Sequence, residues 1–186
     1  MTGVKADERR RVELIEHSEA WASEARARST RIAAILGTTL VEIHHVGSTS
    51  IAGIRAKPII DLLPVVTDLA SLDAAADGIR ALGYQWRGEF GIAGRRYCVL
   101  DDAVTGRRLV QLHAFAVGHP EIDRMLVFRD YLRSHSAEAR AYEAEKERCR
   151  LLHPDDTMAY AEEKTGWIKS CVARARNAGA IETRDS

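Results

Sequence analysis

Nine consecutive residues, Pro58 to Val66 (PIIDLLPVV), are apolar except for one acid, Asp61. The run neither alternates nor repeats every three or four residues. It therefore suits a strand covered on both faces better than an amphipathic helix. Such a strand needs a sheet with further elements packed against both sides, which argues for a layered fold of strands and helices. An acid buried alone in that setting would cost several kcal/mol. Asp61 is therefore expected at the strand end, holding a cation or another partner.

The rest of the chain supplies those elements. Arg10 to Leu36 carries apolar residues at helical intervals (Val12, Ile15, Ile32, Ala33, Leu36) and predicts one or two helices, broken near Ser18 and stopped at Gly37. Leu40 to Val46 reads as a strand, and Ser71 to Leu82 as a helix ending at Gly83. Tyr84 to Phe90, Arg95 to Leu100 and Arg107 to Phe115 read as strands joined by turns at Gly91–Gly94 and Asp101–Gly106. Three helical patterns follow, Glu121 to Ser134, Ser136 to Leu152 and Asp155 to Ala175, the last two after Ser or Asp caps. Residues 177–186 read as a frayed tail. This order predicts one α/β (α+β) domain over 1–186, a mixed sheet with flanking helices and a helical C-terminal third.

Composition narrows the function classes. Lys and Arg total 27 against 27 Asp and Glu, so no net field draws in nucleic acid or anionic lipid. Cys98, Cys149 and Cys171 are widely spaced with no CxxC pair, which removes the usual zinc and redox signatures and predicts reduced, buried thiols. The first eleven residues are charged and lack an apolar core, so they do not read as a signal peptide. No stretch approaches a membrane span. A cytoplasmic protein with no membrane or nucleic-acid partner is expected.

Chemistry concentrates between Val41 and Val66. Gly47 allows a sharp bend and close backbone approach to a ligand. Ser48, Thr49 and Ser50 bring hydroxyls and amides where a short helix would start, a setting that attracts phosphate. Lys57 stands just before the strand of Asp61 and could neutralise phosphate charge. Further on, Glu89, Arg95 and Arg96 flank the glycine-rich turn GEFGIAGRR, where one arginine could clamp a triphosphate. Arg129 and Arg133 share a helix face, with Arg129 the better ligand residue and Asp130 the structural one. Trp21, Trp86 and Trp167 read as core. The Tyr142/Lys146 and Tyr160/Lys164 pairs read as packing beside solvated lysines, and the run from Glu143 to Arg148 reads as a solvated face. His113 is either a site residue or a hydrogen-bonded core histidine, and His45 is expected nearer a pocket than His44.

A strand, Gly-Ser, twelve intervening residues and an acid within a second apolar strand together resemble the signature of the nucleotidyltransferase superfold. The segment HHVGSTSIAGIRAKPIIDLL resembles the GrpB family more closely. GYQWRGEFGIAGRRYCVL, QLHAF and FRDYLRSH continue the likeness in order, over about residues 10–175.

That resemblance implies transfer of a nucleotidyl group from a nucleoside triphosphate to a small-molecule or protein acceptor. Similar domains fused behind dephospho-coenzyme A kinases imply the alternative, a non-catalytic nucleotide- or partner-binding module. The implied phosphate-binding residues are Gly47, Ser48, Thr49, Ser50, Lys57, Arg95, Arg96 and Arg129. Asp61, His113 and Glu89 are the implied catalytic residues. In the superfold a second acid stands two residues after the first and the pair binds Mg²⁺, whereas this chain has Leu63 there. The implied divalent-cation set (Mg²⁺ or Mn²⁺) is therefore Asp61 with His113 and Gln111, a mixture that suits Mn²⁺ or Zn²⁺ better than Mg²⁺.

Overall fold

The computed structural model describes residues 11–182, with side chains through residue 178. These residues gather into two compact units. A sheet unit comprises Ser18–Ser50 and Pro58–Leu126. A helical unit combines the segment ending at His17, the loop Ile51–Lys57 and the chain from Val127 onward.

The sheet unit opens with helix α1 (Ala20–Leu36), which buries Trp21, Ala25, Ile32 and Leu36 along one stripe and ends at Gly37 with φ 50°. Strands β1 (Leu40–Val46), β2 (Ile60–Val66), β3 (Gln85–Trp86), β4 (Arg95–Asp101) and β5 (Arg108–Ala116) form one mixed sheet in the order β1-β2-β5-β4-β3. The β2–β5 pair is parallel and the other pairs are antiparallel. Every residue of β2 is buried except Asp61, which is half-buried. On one face Val46, Leu63, Val65 and Phe115 pack against Ile92 and against Ile122, Met125 and Leu126 at the start of α4 (Pro120–Ser134). On the other face Leu112, Ala114 and Cys98 meet Ile32 and Leu36 of α1, Leu72 of α2 (Leu69–Ala74) and Ile79 of α3 (Ala76–Ala81). The α/β class, the mixed sheet and the helical C-terminal third are as the sequence predicts.

The helical unit holds the rest of α4 with α5 (Ser136–Leu152), α6 (Thr157–Glu163) and α7 (Thr165–Glu182). Ile51 and Ile54 from the loop join Phe128, Leu132, Ala139, Tyr142, Cys171 and Val172 in its core. Trp167 stacks on Tyr142 with centroids 5.2 Å apart. All three cysteines are free and buried. Among the described residues no helix is long and apolar enough to cross a membrane.

Several expectations need correction. Val12 and Ile15 are not helical. The Val12 amide donates to Pro154 O and Ile15 exchanges two main-chain bonds with Ala56, partners too distant in sequence for local periodicity to reveal. The predicted helix over 71–82 is two short ones parted at Ala75, and the predicted strand over 84–90 is only Gln85–Trp86. Trp86 is only half-buried, with the Arg80 guanidinium 5.7 Å from its ring centre. No Ser caps α5, since His135 stands before it without a side-chain cap bond. Asp156 does cap α6, accepting from the amides of Met158 and Ala159. Helix α7 continues to Glu182, through much of the predicted tail. Residues 1–10, including most of the charged amino-terminal stretch, and 183–186 lie outside the described residues.

Lys146 is not solvated but 1% exposed. Its Nζ donates to the carbonyl of Arg55 and lies 4.9 Å from the Tyr142 ring centre. Burial pulls its pKa down to about 8 against the opposing pull of Glu143. Glu143 is not on a solvated face either, because it accepts from both the main chain and the side chain of Arg55.

Candidate functional site

The site starts at the junction of β1 and β2. Val46 pairs with Asp61, so the chain leaves β1 at Gly47 directly beside the acid. Gly47 has φ 69°, and a Cβ there would lie 2.3 Å from Asp61 Oδ2. Only glycine satisfies both the backbone conformation and the approach. The bend is tied behind. Ser50 Oγ donates to Gly47 O at 2.7 Å, Thr49 Oγ1 donates to Ile59 O at 3.2 Å, and His45 Nε2 meets Thr49 Oγ1 at 2.9 Å. Thr49 and Ser50 are buried while Ser48 is half-buried. Residues Ser48–Ser50 form only one 3₁₀ turn, too short for a helix dipole to act on a phosphate.

A polar row continues across the sheet from Asp61. His113 Nε2 lies 3.4 Å from Asp61 Oδ1, and His113 Nδ1 lies 3.5 Å from Arg95 Nη1. Guanidinium nitrogens only donate, so Nδ1 facing Arg95 is the acceptor and the ring proton sits on Nε2, aimed at Asp61. Arg95 is buried. Its Nε donates to Glu89 O and its Nη2 to Phe90 O, and its guanidinium lies 4.8 Å from the Tyr97 ring centre. Burial lowers the Arg95 pKa, with Tyr97 and Glu121 acting the other way. The Tyr97 ring lies 5.3 Å from that of His113 and 5.1 Å from that of Phe90.

The sequence-predicted residues divide accordingly. Gly47, Asp61, His113 and Arg95 come together, and Gln111 is in register with Asp61 on the neighbouring strand. Arg96 points to the opposite sheet face, where it grips Asp73 through two bonds of 2.6 and 2.8 Å. Glu89 is turned away as well, accepting the Gly94 amide and standing 3.9 Å from Arg96. His45, in register with Leu62, faces away from Asp61 and braces the bend instead. Lys57 and Arg129 belong to the helical unit. There Lys57 lies 5.1 Å from the Tyr160 ring centre and Arg129 bonds twice to Asp130. Leu63 is fully buried in the apolar face. Sequence reading missed Tyr97 and Phe90. Alternation with Arg95 could have placed Tyr97 on the site face, but nothing local marks the conformation of Phe90.

The donor set discriminates between cation types. Asp61 supplies a carboxylate, Gln111 an amide and His113 an imidazole nitrogen 3.4 Å from Asp61 Oδ1, where a cation would take the place of the ring proton. Asp61, His113 and Gln111 are thus the residues that would hold a divalent cation, and one carboxylate with one imidazole suits Mn²⁺ or Zn²⁺ better than Mg²⁺. Among the described residues no three His, Cys, Asp or Glu side chains gather as a metal site. The set also fits a hard ion arriving with phosphate, because Mg²⁺ is commonly held by one or two carboxylates together with phosphate oxygens and water.

A glycine bend against a lone strand acid, with an imidazole and a guanidinium behind, defines an α/β protein with a cluster of polar side chains near a strand end. The chain belongs to the GrpB protein family, whose profile matches residues 11–174. It is similar to the UPF0157 protein YqkA of Bacillus subtilis, at 38% identity over 90% of this chain and 48% of that protein, so it spans about half of YqkA's length. A crystal structure of the conserved protein GrpB from Enterococcus faecalis is similar with a TM-score of 0.81 and 32% identity, over 88% of this chain and 96% of that one. A slighter likeness is to a structure of Cid1 in complex with its short product ApU, with a TM-score of 0.46 and 17% identity over 66% of this chain and 38% of that one.

Proposed function

We propose that the sheet unit binds the triphosphate end of a nucleoside triphosphate, brought in with its divalent cation, and transfers the nucleotidyl group to an acceptor hydroxyl. The observation that carries this reading is the contact between Gly47 and Asp61. It brings a glycine bend and a carboxylate to one point, where phosphate and counter-ion can be held together. Asp61, Gln111 and His113 hold the cation, which supplies charge neutralisation at the phosphates. The missing Cβ at Gly47 lets the Asp61 carboxylate lie against the bend, so a cation held by Asp61 would bring its phosphates beside the Gly47–Ser48 main chain. Before the cation enters, His113 keeps an N–H directed at the Asp61 carboxylate, and Arg95 fixes that tautomer. Such a site works through positioning and electrostatics, which phosphoryl chemistry chiefly requires.

A second reading is binding without transfer. The buried Leu63 at the second acid position supports it, because that substitution leaves one carboxylate where two-ion transfer uses a pair.

Thermal unfolding with Mg²⁺ and each of ATP, CTP, GTP and UTP tests both readings. A nucleotide at 100 times its dissociation constant adds about 2.7 kcal/mol of stability. The wild type should gain this with at least one nucleotide, and Asp61→Ala should lose the gain. No shift for the wild type with any of the four removes both readings. A shift without pyrophosphate release across a panel of hydroxyl acceptors leaves the binding module.

A further inference from the structure

Phe90 is the one non-glycine residue with positive φ among the described residues, at 45°. Bulky side chains rarely adopt this region, which strains them, and such strain concentrates at functional positions. The neighbouring turn positions that need positive φ, Gly88, Gly91 and Gly94, are all glycine. Main-chain bonding does not explain the exception, because the Phe90 carbonyl that receives Arg95 would be present with any residue there. Packing explains one side of the ring, which stacks on buried Tyr97 with an interplanar angle of 22°. The residue nonetheless remains 41% exposed. A strained backbone thus holds an aromatic ring with its outer face in water, two ring contacts from His113 and three from Asp61. The successive separations along that row are 5.1, 5.3 and 3.4 Å.

We propose that the outer face of Phe90 is the platform on which the nucleotide's base stacks while its phosphates meet Asp61. The inference rests on the nucleotide reading above and adds the group that holds the base. Every base has a π-face, so the platform accepts all four and favours purines through their larger rings. No hydrogen-bond readout of base identity is required.

Calorimetric titration of the full chain with Mg²⁺-ATP, Mg²⁺-CTP and Mg²⁺-tripolyphosphate separates base from phosphate recognition. Phe90→Leu keeps an apolar side chain and removes the aromatic face, while Phe90→Trp enlarges that face. Phe90→Leu should weaken ATP roughly tenfold, the scale of a lost base–aromatic stack, and CTP by less. Tripolyphosphate binding should stay within about twofold, since it makes no stack to lose. Phe90→Trp should bind ATP at least as well as the wild type. The inference is overturned if ATP binds Phe90→Leu as tightly as the wild type, or if ATP and tripolyphosphate weaken in equal measure. A wild type that holds tripolyphosphate as tightly as ATP removes the platform and leaves the phosphate site standing. A wild type that binds neither removes both.

Discussion

Arg95 in the sheet unit and Lys146 in the helical unit are both buried charged residues, and each caps main-chain carbonyls of a loop. Arg95 forks across Glu89 O and Phe90 O and still faces His113, whereas Lys146 donates to Arg55 O beside the Tyr142 ring. A guanidinium stays charged at any ordinary pH and presents donors in fixed directions, while an ammonium is a rotatable point charge that sheds its proton when desolvated. Burial in the same protein therefore yields two devices. One orients a histidine at the candidate site, and the other fastens the loop Ile51–Lys57 to α5.

Loss of Arg95 should have the larger effect of the two. Arg95→Met takes the guanidinium donors from Phe90 O and from Glu89 O, which keeps the Ile92 amide, and frees His113 to change tautomer. It should cost about 3 kcal/mol in urea unfolding and abolish the nucleotide-induced rise in Tm. Survival of that rise would detach Arg95 from the site.

Lys146 sharpens the contrast through pH. The folded chain releases this proton near pH 8, while the unfolded chain holds it to the ordinary 10.5. Between those values the unfolded state binds the extra proton, so raising the pH favours folding. The stability of the wild type relative to Lys146→Met should climb by up to about 3 kcal/mol from pH 8 to 10.5, as measured by chemical denaturation at several pH values. A flat difference would show that Lys146 is not desolvated.

The smallest effect is expected at Arg96. Its pair with Asp73 is partly exposed, so Arg96→Ala should cost about 0.5 kcal/mol and leave nucleotide affinity unchanged. A large loss of affinity would return Arg96 to the site.

Much of the sheet was legible because β2 is an almost unbroken apolar run, β5 alternates polar and apolar residues, and glycine-bearing turns separate the later strands. The bend and the acid were legible because a glycine before Ser48 and a lone Asp in an apolar strand each require a physical reason. Alternation says that adjacent Arg95 and Arg96 face opposite sides, but not which side holds Asp61. Lys146 looked solvated because its carbonyl partner is 91 residues away, beyond any helical spacing. Phe90 was opaque because a positive φ leaves no mark in a residue type that normally avoids it.

The loop Ile51–Lys57 lies between the bend and the acid in sequence, yet it belongs to the helical unit. Ile51 and Ile54 fill that unit's core, and Arg55 is fastened by Glu143 and Lys146. No single cut can therefore free the sheet unit with its site whole. A chain ended after Leu126 would keep Gly47 and Asp61 but strip the apolar seat from Ile51–Lys57, the middle of the segment joining them. Anyone dissecting this protein must work by substitution or by rewiring its connections, since deletion from the carboxyl end would unmoor the very link it set out to isolate.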